Sequence, residues 1–147
     1  MLIAREAIAE MIPHAGAMCL LDGVLAWDAE RIRCRSDTHR DPRNPLRSDG
    51  ALAALCGIEY AAQAMAIHGK LAGSLERKPK AGYLASLRQV RCRAGRLDEL
   101  AGDLIVEAER LMGQESHVMY GFRVWIGNVE VLSGRATVVL DAGGVKS

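Results

Sequence analysis

Residues 51–68 constrain the fold more than any other part of the sequence. The segment reads Ala-Leu-Ala-Ala-Leu-Cys-Gly-Ile-Glu-Tyr-Ala-Ala-Gln-Ala-Met-Ala-Ile-His and contains one formally charged residue, Glu59. A helix that is apolar around most of its circumference is buried in a protein core. We therefore expect one long buried helix over 51–68, capped by Ser48 or Asp49 and ended by Gly69.

Strand-like segments flank this helix. Residues 103–110 alternate between apolar and acidic side chains, which is typical of a half-buried strand. The expected elements are a helix at 4–11, strands at 17–27 and 31–37, a loop at 38–49, the long helix, and strands at 83–93, 103–110, 117–126 and 129–140. One buried helix between runs of strands, without βαβ alternation, predicts an α+β fold in which an antiparallel sheet wraps around the helix.

Length and charge limit the classes of function. The 147 residues suit a single domain, which we place at 1–141 with a flexible tail at 142–147. The 19 basic and 18 acidic residues nearly cancel, so the chain as a whole does not attract nucleic acid or an anionic membrane. An acidic partner could still bind a local basic cluster formed by Arg88, Arg91, Arg93 and Arg96.

The cysteines and the amino terminus indicate a cytoplasmic protein. The four cysteines are scattered, and no pair has the C-x-x-C spacing of a zinc or redox site. The first residues carry charges every few positions, unlike a signal peptide, and no segment has the roughly 20 apolar residues that cross a bilayer.

Glu59 is the residue that most needs explaining. A carboxylate on an apolar helix must be paired, protonated or exposed in a cleft, because burying it alone costs several kcal/mol or more. Burial would raise its pKa, as a general acid at neutral pH requires, and Gln63 one turn later could bind the carboxylate or a ligand. A buried ion pair with one of the arginines is the structural alternative.

Histidines supply the other candidates. His39 lies in the loop before the long helix, and His14 lies where the first helix meets the first strand. His68 ends the long helix, where a cation suits the helix dipole, and we interpret it as structural. No His/Cys/Asp cluster has metal-ligand spacing, and there is no G-x-S-x-G motif of a serine hydrolase.

Two segments resemble the hotdog-fold 3-hydroxyacyl-[acyl-carrier-protein] dehydratases. Residues 12–22, Ile-Pro-His-Ala-Gly-Ala-Met-Cys-Leu-Leu-Asp, resemble that family's Leu-Pro-His-Arg-x-Pro-(Phe/Met)-Leu-Leu-Val-Asp opening. Residues 57–64, Gly-Ile-Glu-Tyr-Ala-Ala-Gln-Ala, resemble its Ile-Ile-Glu-Ala-Met-Ala-Gln-Ala helix. The likeness is closest to the small dehydratase-like proteins of aryl-polyene-type gene clusters.

The resemblance implies a hotdog fold whose subunits pair edge to edge, as a homodimer or as a heterodimer with a related hotdog subunit. It implies a site at that interface, with Glu59 facing a histidine of the other subunit, and a thioester carried by acyl carrier protein on its phosphopantetheine arm. No metal or organic cofactor is implied. The chain departs from the family in two places: Pro45 occupies the usual histidine position, and Ala53 and Ala54 replace Pro-Gly at the helix start.

The leading hypothesis is dehydration of a 3-hydroxyacyl thioester to the trans-2-enoyl thioester, in fatty-acid or polyene-type lipid biosynthesis. His39 would remove the proton next to the carbonyl, Glu59 would donate to the departing hydroxyl, and His14 would be the reserve base near the pocket mouth. Three backbone N–H groups would hold the enolate oxygen: Ala54, Leu55 and Cys56. Two alternatives are a thioesterase that uses Glu59 to activate water, and a non-catalytic partner of another dehydratase.

Overall fold

Seven strands form one antiparallel sheet that covers one long helix. The computed structural model describes residues 2–12, 18–72, 82–113 and 117–140. Its elements are β1 (Ile3–Ala4), α1 (Arg5–Met11), β2 (Gly23–Trp27), β3 (Arg31–Ser36), α2 (Gly57–Ala72), β4 (Gly82–Cys92), β5 (Leu104–Gly113), β6 (His117–Ile126) and β7 (Val129–Leu140). The sheet order is β1-β2-β3-β5-β6-β7-β4, and α2 packs across β3, β5 and β6. The predicted hotdog fold is confirmed.

The two faces of the sheet differ in chemistry. Cys34, Val106 and Val124 are paired across three neighbouring strands, and all three side chains are buried on the face that packs against α2. Their sequence neighbours point the other way, because side chains alternate along a strand. Arg33 and Glu107, for example, pair on the opposite face, which we call the outer face.

Most predicted strands lie where the sequence pattern placed them. β6 and β7 have the predicted bounds, β4 is shifted by one residue, and β5 continues past its predicted end to Gly113. The strand predicted at 17–27 begins only at Gly23, and residues 18–22 run outside the sheet. The two-residue strand β1 was not predicted. The domain limits 1–141 stay a prediction, and the tail at 142–147 lies outside the described residues.

The predicted start and end of the long helix were wrong. α2 begins at Gly57, after a 3₁₀ turn at Ala54–Cys56, and continues through Gly69 to Ala72. Residues 51–54 instead run beside residues 95–98 and form backbone hydrogen bonds with them. A helix at 51–54 could not form these bonds. Ser48 and Ala51 exchange backbone hydrogen bonds around a tight turn, so neither Ser48 nor Asp49 caps a helix.

None of the helices in the described part of the chain is long and apolar enough to cross a membrane.

Candidate active site at the start of the long helix

One face of α2 is not covered by the sheet of its own chain. Leu55 is 54 % exposed, and Glu59, Ala66 and Gly69 are also exposed. Their spacing of three, four and seven residues places them on one side of the helix. The expectation that Glu59 is buried among apolar side chains was wrong for the single chain. The alternative of a buried ion pair is wrong as well, because Glu59 pairs with no arginine among the described residues.

The backbone N–H groups at the helix start are not equivalent. The N–H of Ala54 donates to the carbonyl of Gly95 at 3.1 Å, and the N–H of Cys56 donates to the carbonyl of Ala53 at 2.9 Å. Within the described ranges, the N–H of Leu55 has no acceptor. Of the three N–H groups expected to hold an oxyanion, only that of Leu55 is free, and it lies one turn before Glu59.

His39 is closed off from solvent within the chain. Its side chain is 0 % exposed, and Nε2 donates to the carbonyl of Leu100 at 3.1 Å. Burial lowers the pKa of His39, which favours the neutral ring. A general base must reach the proton that it removes. The packing therefore does not suit the predicted role of His39 as the base, because the loop that carries it folds inward.

A polar network holds that loop against α2. The Asn44 side-chain amide donates to the carbonyl of Thr38 and to the hydroxyl of Tyr60, both at 2.9 Å. The Tyr60 hydroxyl lies 2.8 Å from the Thr38 hydroxyl. Sequence reasoning missed this network, although a tyrosine on a buried helix signals that its hydroxyl needs a partner.

The side-chain amide of Gln63 forms hydrogen bonds with backbone groups of the segment at 18–20. Its Oε1 accepts the N–H of Leu20 at 2.9 Å, and its Nε2 donates to the carbonyl of Met18 at 2.6 Å. Both polar ends are thus engaged in a side chain that is 4 % exposed. The segment at 18–20 lies outside the sheet and takes these backbone partners from the Gln63 amide, and the contact of Gln63 with a ligand stays a prediction. His14, just upstream, lies outside the described residues.

Asp98 sets the position of the chain before the 3₁₀ turn. Its carboxylate accepts from Arg96 Nε at 3.1 Å and from the N–H of Leu52 at 2.8 Å. Arg47 Nη1 lies 3.8 Å from the same carboxylate. The hydrogen bond from Arg96, followed by that from Leu52, holds the pKa of Asp98 well below its usual range. Asp98 therefore fixes the residues that lead directly to Leu55.

Cys56 carries a thiol, a possible nucleophile, three residues before Glu59. Its side chain is half-buried, and burial, followed by the charge of Glu59, raises the pKa of its thiol. A thiol with a raised pKa is a poor nucleophile at neutral pH. In the part of the chain that the structure describes, no group of three or more His, Cys, Asp or Glu side chains is placed to hold a metal ion.

Known structures share this fold. A chain of the dehydratase heterocomplex ApeI:P from Xenorhabdus doucetiae superposes with a TM-score of 0.78 at 22% identity, covering 91% of this chain and 90% of that one. Thioesterase HI1161 from Haemophilus influenzae superposes with a TM-score of 0.67 at 13% identity, covering 96% and 95%. Zebra fish thioesterase superfamily member 2 gives 0.65 at 11% identity, covering 93% and 95%.

Comparison of the sequence identifies the family, which the shared fold alone does not. No curated protein sequence matches the chain as a relative. The model of the ApeP-like family, described as ApeP dehydratase, matches residues 6–142. Because this match spans nearly the whole sequence, the chain belongs to the ApeP-like family of dehydratases.

Proposed function

We propose that this protein, paired with a second hotdog subunit, dehydrates a 3-hydroxyacyl thioester on acyl carrier protein to the trans-2-enoyl thioester. The observation that carries the proposal is the exposed face of α2. On this face the Glu59 carboxyl lies one turn after the N–H of Leu55, which has no acceptor among the described residues. This face offers an acid–base group and an oxyanion donor to one substrate. The reaction would serve fatty-acid or polyene-type lipid biosynthesis.

Each group has a role in the elimination. The N–H of Leu55 would bind the thioester oxygen, where negative charge develops as the proton leaves C2. Glu59 would donate its proton to the C3 hydroxyl as the C–O bond breaks and water departs. The base that takes the C2 proton would be a histidine of the partner subunit, since His39 is enclosed. A second copy of this chain would offer His14 for that role.

A partner subunit is also suggested by what the single chain leaves uncovered. Among the described strands, β4 is at the edge of the sheet and pairs with β7 alone. Leu84 and Leu87 on this strand are each 39% exposed. Backbone pairing along β4 would extend the sheet and place a second subunit beside these side chains and the open face of α2. One solved structure that this chain resembles is named a dehydratase heterocomplex, ApeI:P, which indicates that its protein pairs with a different subunit.

Mass spectrometry of a 3-hydroxyacyl carrier protein tests the proposal. The wild-type protein should remove one water, alone or after mixing with a candidate hotdog partner. Glu59→Gln keeps the size of the side chain but cannot donate the proton, so activity should fall by about 100-fold or more. Glu10→Gln, an exposed glutamate on α1, is the matched control and should stay active. A mixture in which Glu59→Gln is fully active would reduce this chain to a non-catalytic partner.

A thioesterase is the second candidate, favoured by one observation. The exposed Glu59 could activate water directly, and that chemistry needs no accessible His39. The same assay separates the two reactions, because hydrolysis releases a free 3-hydroxy acid and leaves an unloaded carrier protein. Release of that acid by the wild type, lost in Glu59→Gln, would replace the dehydratase proposal.

A further inference from the structure

The segment that leads into Leu55 is held in place like a strand. Residues 51–54 run antiparallel to residues 95–98 and are joined to them by backbone hydrogen bonds. One of these bonds runs from the N–H of Leu97 to the carbonyl of Leu52 at 2.8 Å, and both residues are buried. Because the 3₁₀ turn follows directly, the position of the Leu55 N–H depends on this pairing.

The pairing between Leu52 and Leu97 is incomplete in its backbone and is completed by a side chain. A hydrogen-bonded antiparallel pair exchanges two N–H···O bonds. Here the carbonyl of Leu97 instead accepts the N–H of Leu100 at 3.0 Å, within a turn. Asp98 Oδ1 takes the place of that carbonyl and accepts the N–H of Leu52 at 2.8 Å. The backbone of Leu52 is therefore held on both sides, by Leu97 and by Asp98.

Two arginines orient the Asp98 carboxylate, whose side chain is only 6% exposed. Arg96 Nε lies 3.1 Å from Oδ1, and its Nη2 lies 2.5 Å from Oδ2, which is the bidentate arrangement of a strong charge-assisted contact. Arg47 Nη1 approaches Oδ2 at 3.8 Å. The sequence had grouped Arg96 with the arginines at 88–93 in a local basic cluster, but its guanidinium is engaged by Asp98.

His39 supports the turn that carries Asp98. The buried ring donates from Nε2 to the carbonyl of Leu100 at 3.1 Å, and the N–H of Leu100 closes the turn on the carbonyl of Leu97. A carbonyl only accepts, so Nε2 carries the ring proton. The side chain that the sequence suggested as the base therefore helps to hold the turn in which Asp98 lies.

We propose that Asp98 is a positioning residue for the dehydration: through Leu52 it sets where the N–H of Leu55 lies relative to the Glu59 carboxyl. This inference rests on the proposed function. An oxyanion donor is effective only within hydrogen-bond distance of the developing charge. A displacement of about 1 Å, caused by a change far from the chemistry, can cost about 100-fold in rate. Asp98 acts through the backbone and does not need to touch the substrate.

Two substitutions at Asp98 separate the hydrogen bond from the charge. Asp98→Asn keeps an oxygen that can accept the N–H of Leu52, whereas Asp98→Ala removes both the acceptor and the charge. With a 3-hydroxyacyl carrier protein as substrate, Asp98→Ala should lower kcat by about 100-fold. Its KM should stay within about threefold, because the oxyanion bond is strongest in the transition state.

Asp98→Asn should keep at least about a third of the wild-type kcat, since it preserves the acceptor for Leu52. If Asp98→Ala does not fold, Asp98→Ser replaces it with the same expected result. Its hydroxyl oxygen is one bond closer to the backbone than a carboxylate oxygen, so it is too short to reach the N–H of Leu52.

Asp103→Ala is the matched control. The Asp103 carboxylate also contacts two arginines, Arg35 at 2.9 Å and Arg40 at 3.8 Å. Among the described residues, it makes no hydrogen bond to residues 51–55. Loss of this carboxylate should lower the temperature of unfolding, as loss of Asp98 does, but should change kcat less than about twofold.

Spectra of protein labelled with ¹⁵N-leucine report on the position of the Leu55 N–H without any substrate. The Leu55 amide resonance, assigned by its loss in Leu55→Met, should shift in Asp98→Ala, shift less in Asp98→Asn and stay in place in Asp103→Ala. An unmoved Leu55 resonance in Asp98→Ala, a wild-type kcat in that variant, or equal losses of kcat in Asp98→Ala and Asp103→Ala would overturn the positioning role. A wild-type protein that dehydrates nothing would overturn the proposed function, while the resonance would still decide whether Asp98 positions Leu55.

Discussion

The ring of His68 accepts the hydroxyl proton of Tyr120. Nδ1 lies 2.8 Å from the hydroxyl, and Nε2 lies 2.9 Å from the carbonyl oxygen of Asp28. A carbonyl only accepts, so Nε2 carries the ring proton and Nδ1 is left as the acceptor. Burial lowers the pKa of His68 and raises that of Tyr120 to about 12. The pair therefore joins α2 to the sheet as a neutral unit, and His68 is not the helix-end cation that the sequence suggested.

We expect the free energy of unfolding to fall as the pH drops below about 6.5. Burial lowers the pKa of both His68 and His39 in the folded chain. Above that pH neither state binds the proton; below it the unfolded chain binds protons that the folded chain excludes. Each histidine then removes up to about 1.4 kcal/mol per pH unit. Urea unfolding at pH 7.5, 6.5 and 5.5 measures the effect.

His68→Gln provides the comparison for this pH dependence. Its unfolding free energy should vary less between pH 7.5 and 5.5 than that of the wild type, and His39 should account for the slope that remains. A wild-type stability that is constant over this range would contradict the lowered pKa values.

Tyr120→Phe should destabilise the fold by about 1–3 kcal/mol at pH 7.5. The substitution keeps the ring but leaves Nδ1 of His68 buried without a donor. The double variant with His68→Phe should lose less than the sum of the two single losses, because the unsatisfied nitrogen is gone. Additive losses in a urea-unfolding cycle would show that the two side chains are not coupled.

The sheet was the part of the fold that its sequence pattern made predictable. Buried side chains recur at every second position of β6 from Val118 to Val124, and Gly127, with a φ of 58°, allows the turn between β6 and β7. Both the period and the turn are local properties, so no distant residue is needed to read them.

The start of α2 depended on long-range pairing. Residues 51–54 are apolar like the helix that follows, but the N–H of Leu52 finds its partner at Asp98, 46 residues away. The exposure of Glu59 could not be predicted for a similar reason. Ala66 and Gly69 on the exposed face of α2 are small, like the alanines on its buried side. Apolar content showed that the helix packs, but not which side the sheet covers.

Gln63→Glu should destabilise the fold by about 1–3 kcal/mol at pH 7. The new carboxylate can still accept the N–H of Leu20, but its second oxygen would face the carbonyl of Met18 without a proton between them. Burial and this repulsion raise a carboxyl pKa, and protonation restores the donor. The difference in stability from the wild type should therefore shrink from pH 7 to pH 5. An equal difference at both pH values would contradict the observed orientation of the amide.

Gly134 and Gly69 should respond to alanine in opposite directions. A Cβ at Gly134 would lie 2.8 Å from Cζ of Phe122 and 3.1 Å from Cγ2 of Val90, whereas a Cβ at Gly69 would meet nothing within 4 Å. Gly134→Ala should therefore cost about 1–3 kcal/mol through overpacking. Gly69→Ala, inside α2, should stabilise the fold by about 0.8–1 kcal/mol through helix propensity.

Urea unfolding of the two alanine variants beside the wild type measures both effects. Gly134 precedes Arg135 in β7, and its lack of a side chain lets Phe122 of β6 and Val90 of β4 meet over that strand on the buried face. This close approach is part of what holds the three strands in the register that brings Arg88 opposite Arg135. A Gly134→Ala variant as stable as the wild type would mean that the three strands are packed more loosely there.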